Sequence, residues 1–457
     1  MGAGAGIVIP MGQALLSIML HGKDLSRAMT AWAIAGTLGV PFGPVVGGAV
    51  TAAFGWRGIF GFDAVVFLAV MALIHATART AVTRTADTPD ADARTESASG
   101  KVARTANARA TDATDSAKPH APASNATAHT PLDIPWPSVA LMFAGFSALS
   151  AGLIDAQHTI VAPSAWIPML AGATLIVGFV AYDHHARNPL MELSLMRDPS
   201  FAANAPALLM LNFSMYGIIF IMPAYLETVM GHGALVGGLL LMPLVLASIV
   251  GSLCNSRIIA RIGYRATSIG SLIALAVGMA AMGVAVLRSG TGLGWTLLIV
   301  GQTMAGLGLG AGQPAMLTWA MGCVPAEHSG AGSSLLTVFR QFGSIIGVGL
   351  FGSISGGVYA ARFQSDASAA GASADPDAFI PTSAGSVALD FQQAQRLTGQ
   401  VADLLRRVAA EAYESSMLAS FLIAALVIAI TTVVVAAISR KHGARSPRTI
   451  DSGGITA

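Results

Sequence analysis

Stretches of about 20 mostly apolar residues recur from one end of this chain to the other, and that recurrence constrains the fold more than any other feature. A backbone in hydrocarbon has no water to pair with, so each stretch must close its hydrogen bonds within itself, as a helix. Spans are expected near 2–20, 31–53, 58–76, 136–154, 165–183, 204–225, 234–255, 267–287, 294–317, 332–357 and 416–438. Only 11% of the 457 residues are charged, against about a quarter in a water-soluble domain, and the mean hydropathy is +0.66. Composition therefore excludes a soluble enzyme and gives the fold class as all-α integral membrane, a bundle of about eleven transmembrane helices. The net charge of +2 comes from dispersed basic residues, which form no stripe for nucleic acid. Cys254 and Cys323 supply neither a disulfide framework nor a metal cluster, so no metal and no cofactor is expected.

Lys and Arg in alternate loops set the direction of threading, because they are retained on the cytoplasmic side. One set of loops carries Lys23 and Arg27, then Arg79 to Lys118, then Arg187 and Arg197, then Arg257, Arg261 and Arg265, and finally Arg440 to Arg448. The other set has Arg57 and Arg288 in short turns and Arg362, Arg396, Arg406 and Arg407 in one long loop. The first set is taken as cytoplasmic, which puts the carboxyl tail inside. Two segments interrupt the apolar pattern. Residues 77–133 are rich in Ala, Thr, Asp and Arg, with Pro89, Pro119, Pro122 and Pro131, and read as a disordered cytoplasmic linker. Residues 358–415 read as an extracytoplasmic loop in which Leu397, Val401, Leu404, Leu405 and Val408 recur at helical spacing, predicting a short amphipathic helix. The expected organisation is three spans over 1–76, the linker, the main run of spans over 134–357, the loop, a last span at 416–438 and a tail over 439–457. The sequons at Asn125 and Asn212 fall in the linker and in a span, and are chance matches.

The most specific motif lies in the second span, where Gly39, Gly43, Pro44, Gly47 and Gly48 follow one another at close spacing. Glycines four apart make a groove into which another backbone can settle, and proline removes an amide donor and favours a bend. A tight helix contact is expected on this face. The combination resembles the antiporter signature of the major facilitator superfamily, found in the fifth helix of drug:proton exporters, and the resemblance implies that it seals the bundle and limits leak. Other pieces follow in the same order. Gly55, Trp56, Arg57 and Phe60 resemble the short outer turn after that helix. The run from Pro189 to Leu193, with Arg197 and Phe201, resembles the cytoplasmic loop before the ninth helix. Tyr225 to Gly231, followed by Gly237, Gly238 and Pro243, resembles the next outer turn. Arg340, Gln341, Phe342, Gly343 and Gly347 resemble the thirteenth helix of the fourteen-helix drug:proton antiporter branch.

By that resemblance the chain is a proton-coupled transporter of the multidrug exporter kind, working by alternating access in the plasma membrane of a bacterium. Its implied partners are the lipid bilayer, an amphipathic small molecule, protons and a periplasmic adaptor protein, with no nucleic acid. The run from Met1 to Gly6 resembles the second half of the family's fourth-helix motif, without its upstream Arg, and the first three helices of the family have no counterpart in the sequence. The alternative expectation is an N-terminally truncated, non-transporting remnant, or a gene started too far downstream. No GxxxxGK[ST] loop occurs for ATP, and the ionisable residues are too scattered for a membrane enzyme.

Charges inside spans are the remaining candidates, since an ionisable group in hydrocarbon must pair or meet water. Arg340, with Gln341 beside it, either serves transport and gating or pairs structurally with a carbonyl or carboxylate. Asp63 lies about a turn inside the third span and either exchanges a proton or is an interfacial, hydrated group. Glu227, at an outer helix end, either binds a cation at the cavity mouth or is solvated, and Asp155 and His158 read as solvated. Arg257, Arg261, Gly263 and Arg265 form a cytoplasmic turn resembling a degenerate copy of the superfamily's loop motif, and its charges either latch helix ends or only anchor the topology. Met210, Met215, Phe213, Tyr216, Phe220 and Met222 either line an adaptable apolar cavity or simply pack.

Overall fold

A computed structural model describes residues 43, 46–86, 136–156, 162–185, 192–325, 329–369, 387–396 and 400–441. The described residues are nearly all helical, with no strand among them. Residues 46–54 are helical, and then come α1 (Trp56–Ala86), α2 (Trp136–Asp155), α3 (Pro163–His185), α4 (Pro199–Ala224), a short α5 (Ala234–Leu239), α6 (Met242–Val286), α7 (Gly292–Met321), α8 (Ser329–Ala369), α9 (Val387–Arg396) and α10 (Gln400–Lys441). Eight stretches among them are long and apolar enough to cross a bilayer, and one, Ala234–Val286, holds two spans. The expected span at 2–20 and most of that at 31–53 lie outside the described residues, as does the linker beyond Ala86. Residues 53–134, with α1, form one unit, and residues 1–52 and 135–457 form the other.

Local chemistry sets the helix ends. The Asp198 carboxylate accepts from the backbone N–H groups of Ser200 and Phe201 at 2.8 and 3.2 Å, and Pro199 takes a first-turn position where no amide donor is needed. Thr291 caps α7 in the same way, accepting from the Gly294 N–H at 3.2 Å. Gly263 has φ +80°, a left-handed conformation that side chains rarely adopt, and there α6 turns back on itself. Hydroxyls along the helices are spent on the carbonyl one turn earlier, as in Thr303 to Ile299 and Thr432 to Ile428, so they need no water.

In lipid the hydrophobic effect does not hold helices together, and contact must come from close packing. Glycines supply it here. Along α7, Gly306 and Gly310 lie against the carbonyl oxygens of Leu244 and Ser248 in the first half of α6. A Cβ on Gly308 would stand 2.5 Å from the Ser271 carbonyl oxygen in the second half, so α7 is a rib gripped on two faces by the doubled α6. Parallel α4 and α8 meet through Gly343 against the Leu209 carbonyl, Gly347 against that of Phe213, and Gly217 under the Phe351 ring. Phe351 in turn lies 5.5 Å from Phe213 and 5.9 Å from Phe421 of α10, closing the centre of α4, α8 and α10. The α2–α3 hairpin closes on Gly172, where a Cβ would stand 2.5 Å from the Leu149 nitrogen.

Two expectations need revision. The helix of the third span continues ten residues past 76 to Ala86, into the stretch expected as linker. The expected loop over 358–415 is largely helical, because α8 runs on to Ala369, α9 follows, and α10 begins at Gln400. The amphipathic helix is not a separate element. Its described residues form the first turns of α10, with Leu405 and Val408 buried, and Leu397 lies outside the described residues. The reason is that the hydrophobic core of the bundle extends into this region, where Tyr359 and Phe363 of α8, Val387 and Ala394 of α9, and Leu405 and Val408 of α10 are all buried. The Tyr359 hydroxyl donates to the buried Asp390 carboxylate, and the Tyr413 hydroxyl donates to the Ile221 carbonyl of α4 at 3.0 Å.

Replacing Gly347 with Leu should lower the yield of folded protein sharply, since overpacking costs about 1–3 kcal/mol and here the obstacle is backbone. Size-exclusion profiles of the solubilised protein check this, with Gly270→Leu, at an open position, eluting as wild type. Tyr359→Phe should lower the thermal midpoint in detergent, because a buried carboxylate that loses a donor costs about 1–3 kcal/mol.

Candidate functional site

Four consecutive residues of α8 point four ways, as 100° per residue requires. Gln341 is exposed, Phe342 stacks edge-on against Phe146 of α2 at 4.3 Å, and Gly343 is pressed on α4. Arg340 is half-buried. Its Nε is buried and meets no hydrogen-bond acceptor among the described residues, while Tyr216 of α4 lies within electrostatic reach of the guanidinium. One turn further along the same face of α8, Ser344 opens a cavity of about 280 Å³ between α2, α4 and α8. Ser150, Tyr216 and Ser344 give it hydroxyls, and Leu153, Ile154 and Val348 give it an aliphatic wall. Of the aromatic and thioether residues singled out on α4, Tyr216 lines this cavity, Phe213 and Met222 are buried in packing, and Phe220 is exposed.

The remaining candidates do not gather around Arg340. Asp63 sits exposed on α1. Glu227 lies in a π-helical turn, Tyr225–Val229, where the Met230 N–H reaches back five residues to the Tyr225 carbonyl at 3.0 Å. Pro223 just upstream has no amide to donate, which loosens the end of α4 and lets the wider turn form. The Glu227 side chain is exposed and lies over Gly237 of α5, whose added Cβ would meet its Cγ at 3.0 Å. Next to it, the Tyr225 hydroxyl donates to Ser289 Oγ at 3.1 Å.

At the other end of the bundle Arg257 and Arg261 are exposed, Gly263 makes the turn, and Arg265 Nε donates to Ser439 Oγ at 3.1 Å. Arg265 thus ties the α6 turn to the end of α10, through a hydroxyl rather than a carboxylate. In the glycine motif, Gly39 and Pro44 lie outside the described residues, and Gly43 and Gly47 meet nothing within 4 Å. Gly48 makes the close approach, since a Cβ there would stand 2.5 Å from the Ala234 carbonyl oxygen at the start of α5.

Three buried polar residues escaped sequence reading. Asp183 is fully buried between α2 and α3 and accepts from Ser138 Oγ at 3.2 Å. Asp390 sits in what reads as a polar loop. Gln302 is fully buried in α7 with neither side-chain atom paired, and a single amide in an apolar run gives no signal of its orientation.

Residues 1–348 match the family model described as Major Facilitator Superfamily. Among curated proteins, the multidrug resistance protein Stp of Mycobacterium tuberculosis is 30% identical over 38% of this chain and 32% of its own length. The probable actinorhodin transporter of Streptomyces coelicolor is 25% identical over 81% of this chain and 60% of its own. The methylenomycin A resistance protein of the same organism is 23% identical over 77% and 64% respectively. The chain thus spans less than two thirds of the length of these relatives. A solved structure of a bacterial homolog to the human lysosomal transporter Spinster, inward-facing and occupied, is 17% identical with a TM-score of 0.42, covering 67% of this chain and 68% of that one. Repeated apolar spans, a glycine-ribbed helical bundle and a family match over most of its length place this multi-pass membrane protein in the Major Facilitator Superfamily of transporters.

Proposed function

We propose that this protein carries amphipathic organic compounds out of a bacterial cell by alternating access, drawing on inward movement of protons. The observation that carries the reading is a cavity between α2, α4 and α8 that is apolar on one side and hydroxyl-lined on the other, with Arg340, its Nε buried and unpaired, one turn before Ser344 on α8. A cationic side chain kept inside a membrane protein without an acceptor is costly, and such residues mark pathways for cargo. The names of the relatives, two of them resistance proteins and one a probable transporter of an organic compound, support the export direction.

In this reading two sets of helices rock about the cavity, and protonation of a carboxylate biases which face is open. Asp63 and Glu227 are the carboxylates proposed for that role, Glu227 because the π-helical turn that holds it can rewind at small cost. The contact of Gly48 with α5 closes one end, and the Arg265–Ser439 tie steadies the other. The basic loops support a cytoplasmic Arg257–Arg265 turn and tail in this reading. A periplasmic adaptor protein is a partner compatible with this threading.

Energised everted vesicles containing the protein should accumulate an amphipathic fluorescent dye and lose it on adding a protonophore. Arg340→Ala at equal expression should cut the rate about tenfold or more, the effect of losing about 1.4 kcal/mol of binding. Dye uptake unchanged by the protonophore would refute the coupling, and an unchanged rate in Arg340→Ala would refute the role of that residue. Gly48→Leu should raise passive dye leak in de-energised vesicles while leaving the folded yield near wild type, since the obstructed contact lies at one end of the bundle.

A further inference from the structure

We infer that Glu414 is a proton-binding residue of the transport cycle, which as a neutral acid holds the α6–α7 end of the bundle shut and as a carboxylate lets it part. The inference rests on the proton-coupled reading proposed for this protein and adds a residue to it.

Three elements converge where Glu414 stands. The second half of α6 and α10 run antiparallel: Arg265 meets Ser439 at one end, and near the other an added Cβ on Gly283 would stand 3.2 Å from Phe421 Cβ and 3.6 Å from the Leu418 carbonyl oxygen. One turn further in that register brings Glu414 level with Ser289, in the turn between α6 and α7. Toward α4, the neighbouring Tyr413 hydroxyl donates to the Ile221 carbonyl at 3.0 Å, and one turn beyond Ile221 the Tyr225 hydroxyl donates to Ser289 Oγ at 3.1 Å. Ser289 lies within hydrogen-bonding reach of the Glu414 carboxyl, and Tyr225 within electrostatic reach. Because Ser289 Oγ accepts from Tyr225, its own proton is free to be given to Glu414. A directed chain from Tyr225 through Ser289 to Glu414 thus joins the ends of α4, α6 and α10.

Glu414 can accept from Ser289 in either state, through a carboxylate oxygen or through the carbonyl oxygen of the acid. What the proton changes is the cost of the surroundings. Glu414 is half-buried, just before the apolar run 416–438, and forms no ion pair among the described residues. Of the charged groups near it, Glu411 on α10 is a like charge, and Arg288, beside Ser289, is exposed. In the turn after α4, Glu227 is exposed and His232 stacks on Trp295, while Tyr359 of α8 packs on Tyr413 and is paired with Asp390 of α9. Half-burial without a cation, and then Glu411, both disfavour the ionised form in the closed arrangement. Once the end parts, the carboxyl meets water and that penalty is gone. By linkage the closed arrangement binds the proton more tightly, so it is favoured at low pH and loses support as pH rises. In the threading proposed for this protein the end faces outside, so a proton arriving after cargo has left shuts it.

Spin labels on Leu287→Cys and Arg406→Cys, exposed sites at the end of α6 and on α10, report the gap by double electron–electron resonance. The sample is the purified chain with Cys254 and Cys323 replaced by Ala. A short distance should dominate at about pH 5, and a longer population should grow toward about pH 8, the span over which a partly buried carboxylate titrates. Glu414→Gln, neutral at every pH and still able to accept from Ser289, should hold the short distance throughout. Glu411→Gln, at an exposed position, should move the transition to lower pH, and it decides the matter if Glu414→Gln does not fold. A wild-type distance that ignores pH, a transition that survives in Glu414→Gln, or one unmoved by Glu411→Gln would each overturn the inference. Neither dye nor gradient enters this measurement. A Glu414-dependent transition in a protein that moves no dye would count against the exporter reading and leave the switch standing, whereas proton-driven dye export without the transition would sink the switch alone.

Discussion

Backbone pressed on backbone, with only a glycine hydrogen between, is the contact from which the rest of this bundle follows. Lipid offers helices no hydrophobic reason to associate, so affinity has to come from dispersion at short range and from the exclusion of lipid. The rib of α7, with Gly306, Gly308 and Gly310 meeting Leu244, Ser271 and Ser248, fixes both halves of α6 at once. The Gly343–Gly347 seam fixes α8 on α4 in parallel register, and that register brings Ser344 and Tyr216 to one cavity. Remove the glycines and the helices stand apart, and the cavity loses its walls.

Polar groups inside the bundle divide into two kinds. Most are answered within their own helix, as in the hydroxyls bonded one turn back and Asn204 and Asn212 bonded to the carbonyls of Ser200 and Leu208, or by a neighbouring helix, as in Asp183 answered by Ser138. These are structural, and in a medium without water they are the minimum requirement. Arg340 Nε, Asn255 Oδ1 and both side-chain polar atoms of Gln302 are of the other kind, buried and unanswered among the described residues. Of these, Arg340 lies one helical turn before Ser344, which lines the cavity, and that is why it, and not Gln302, is the candidate.

How far the sequence could be read depended on the range of the interaction. Apolar length is a local property, and every expected span from 58 onward falls on a described helix. Gly263 was visible because a turn between two basic helix ends demands its conformation. Arg340 was visible because a charge amid apolar residues contradicts its surroundings. What stayed hidden depended on partners far away in the chain. Asp390 looks like part of a polar loop until Tyr359, 31 residues earlier, is seen to donate to it. Arg265 shows no reason to reach Ser439, 174 residues later, until α10 returns to the same end. Within the glycine motif the spacing predicted a tight face but could not say which member touches, and the close approach is made by Gly48 while Gly43 stands open.

The account stands on the described helices crossing a bilayer with alternate ends on opposite sides. Single cysteines placed at Arg261, Gly290 and Ser446, in a chain with Cys254 and Cys323 replaced by Ala, can be labelled in intact cells with an impermeant maleimide. Label at Gly290→Cys in intact cells, with Arg261→Cys and Ser446→Cys reacting only after the membrane is opened, is the predicted result. Labelling of Arg261→Cys and Gly290→Cys from the same side would contradict the threading, and with it the placement of Arg340 inside a membrane bundle.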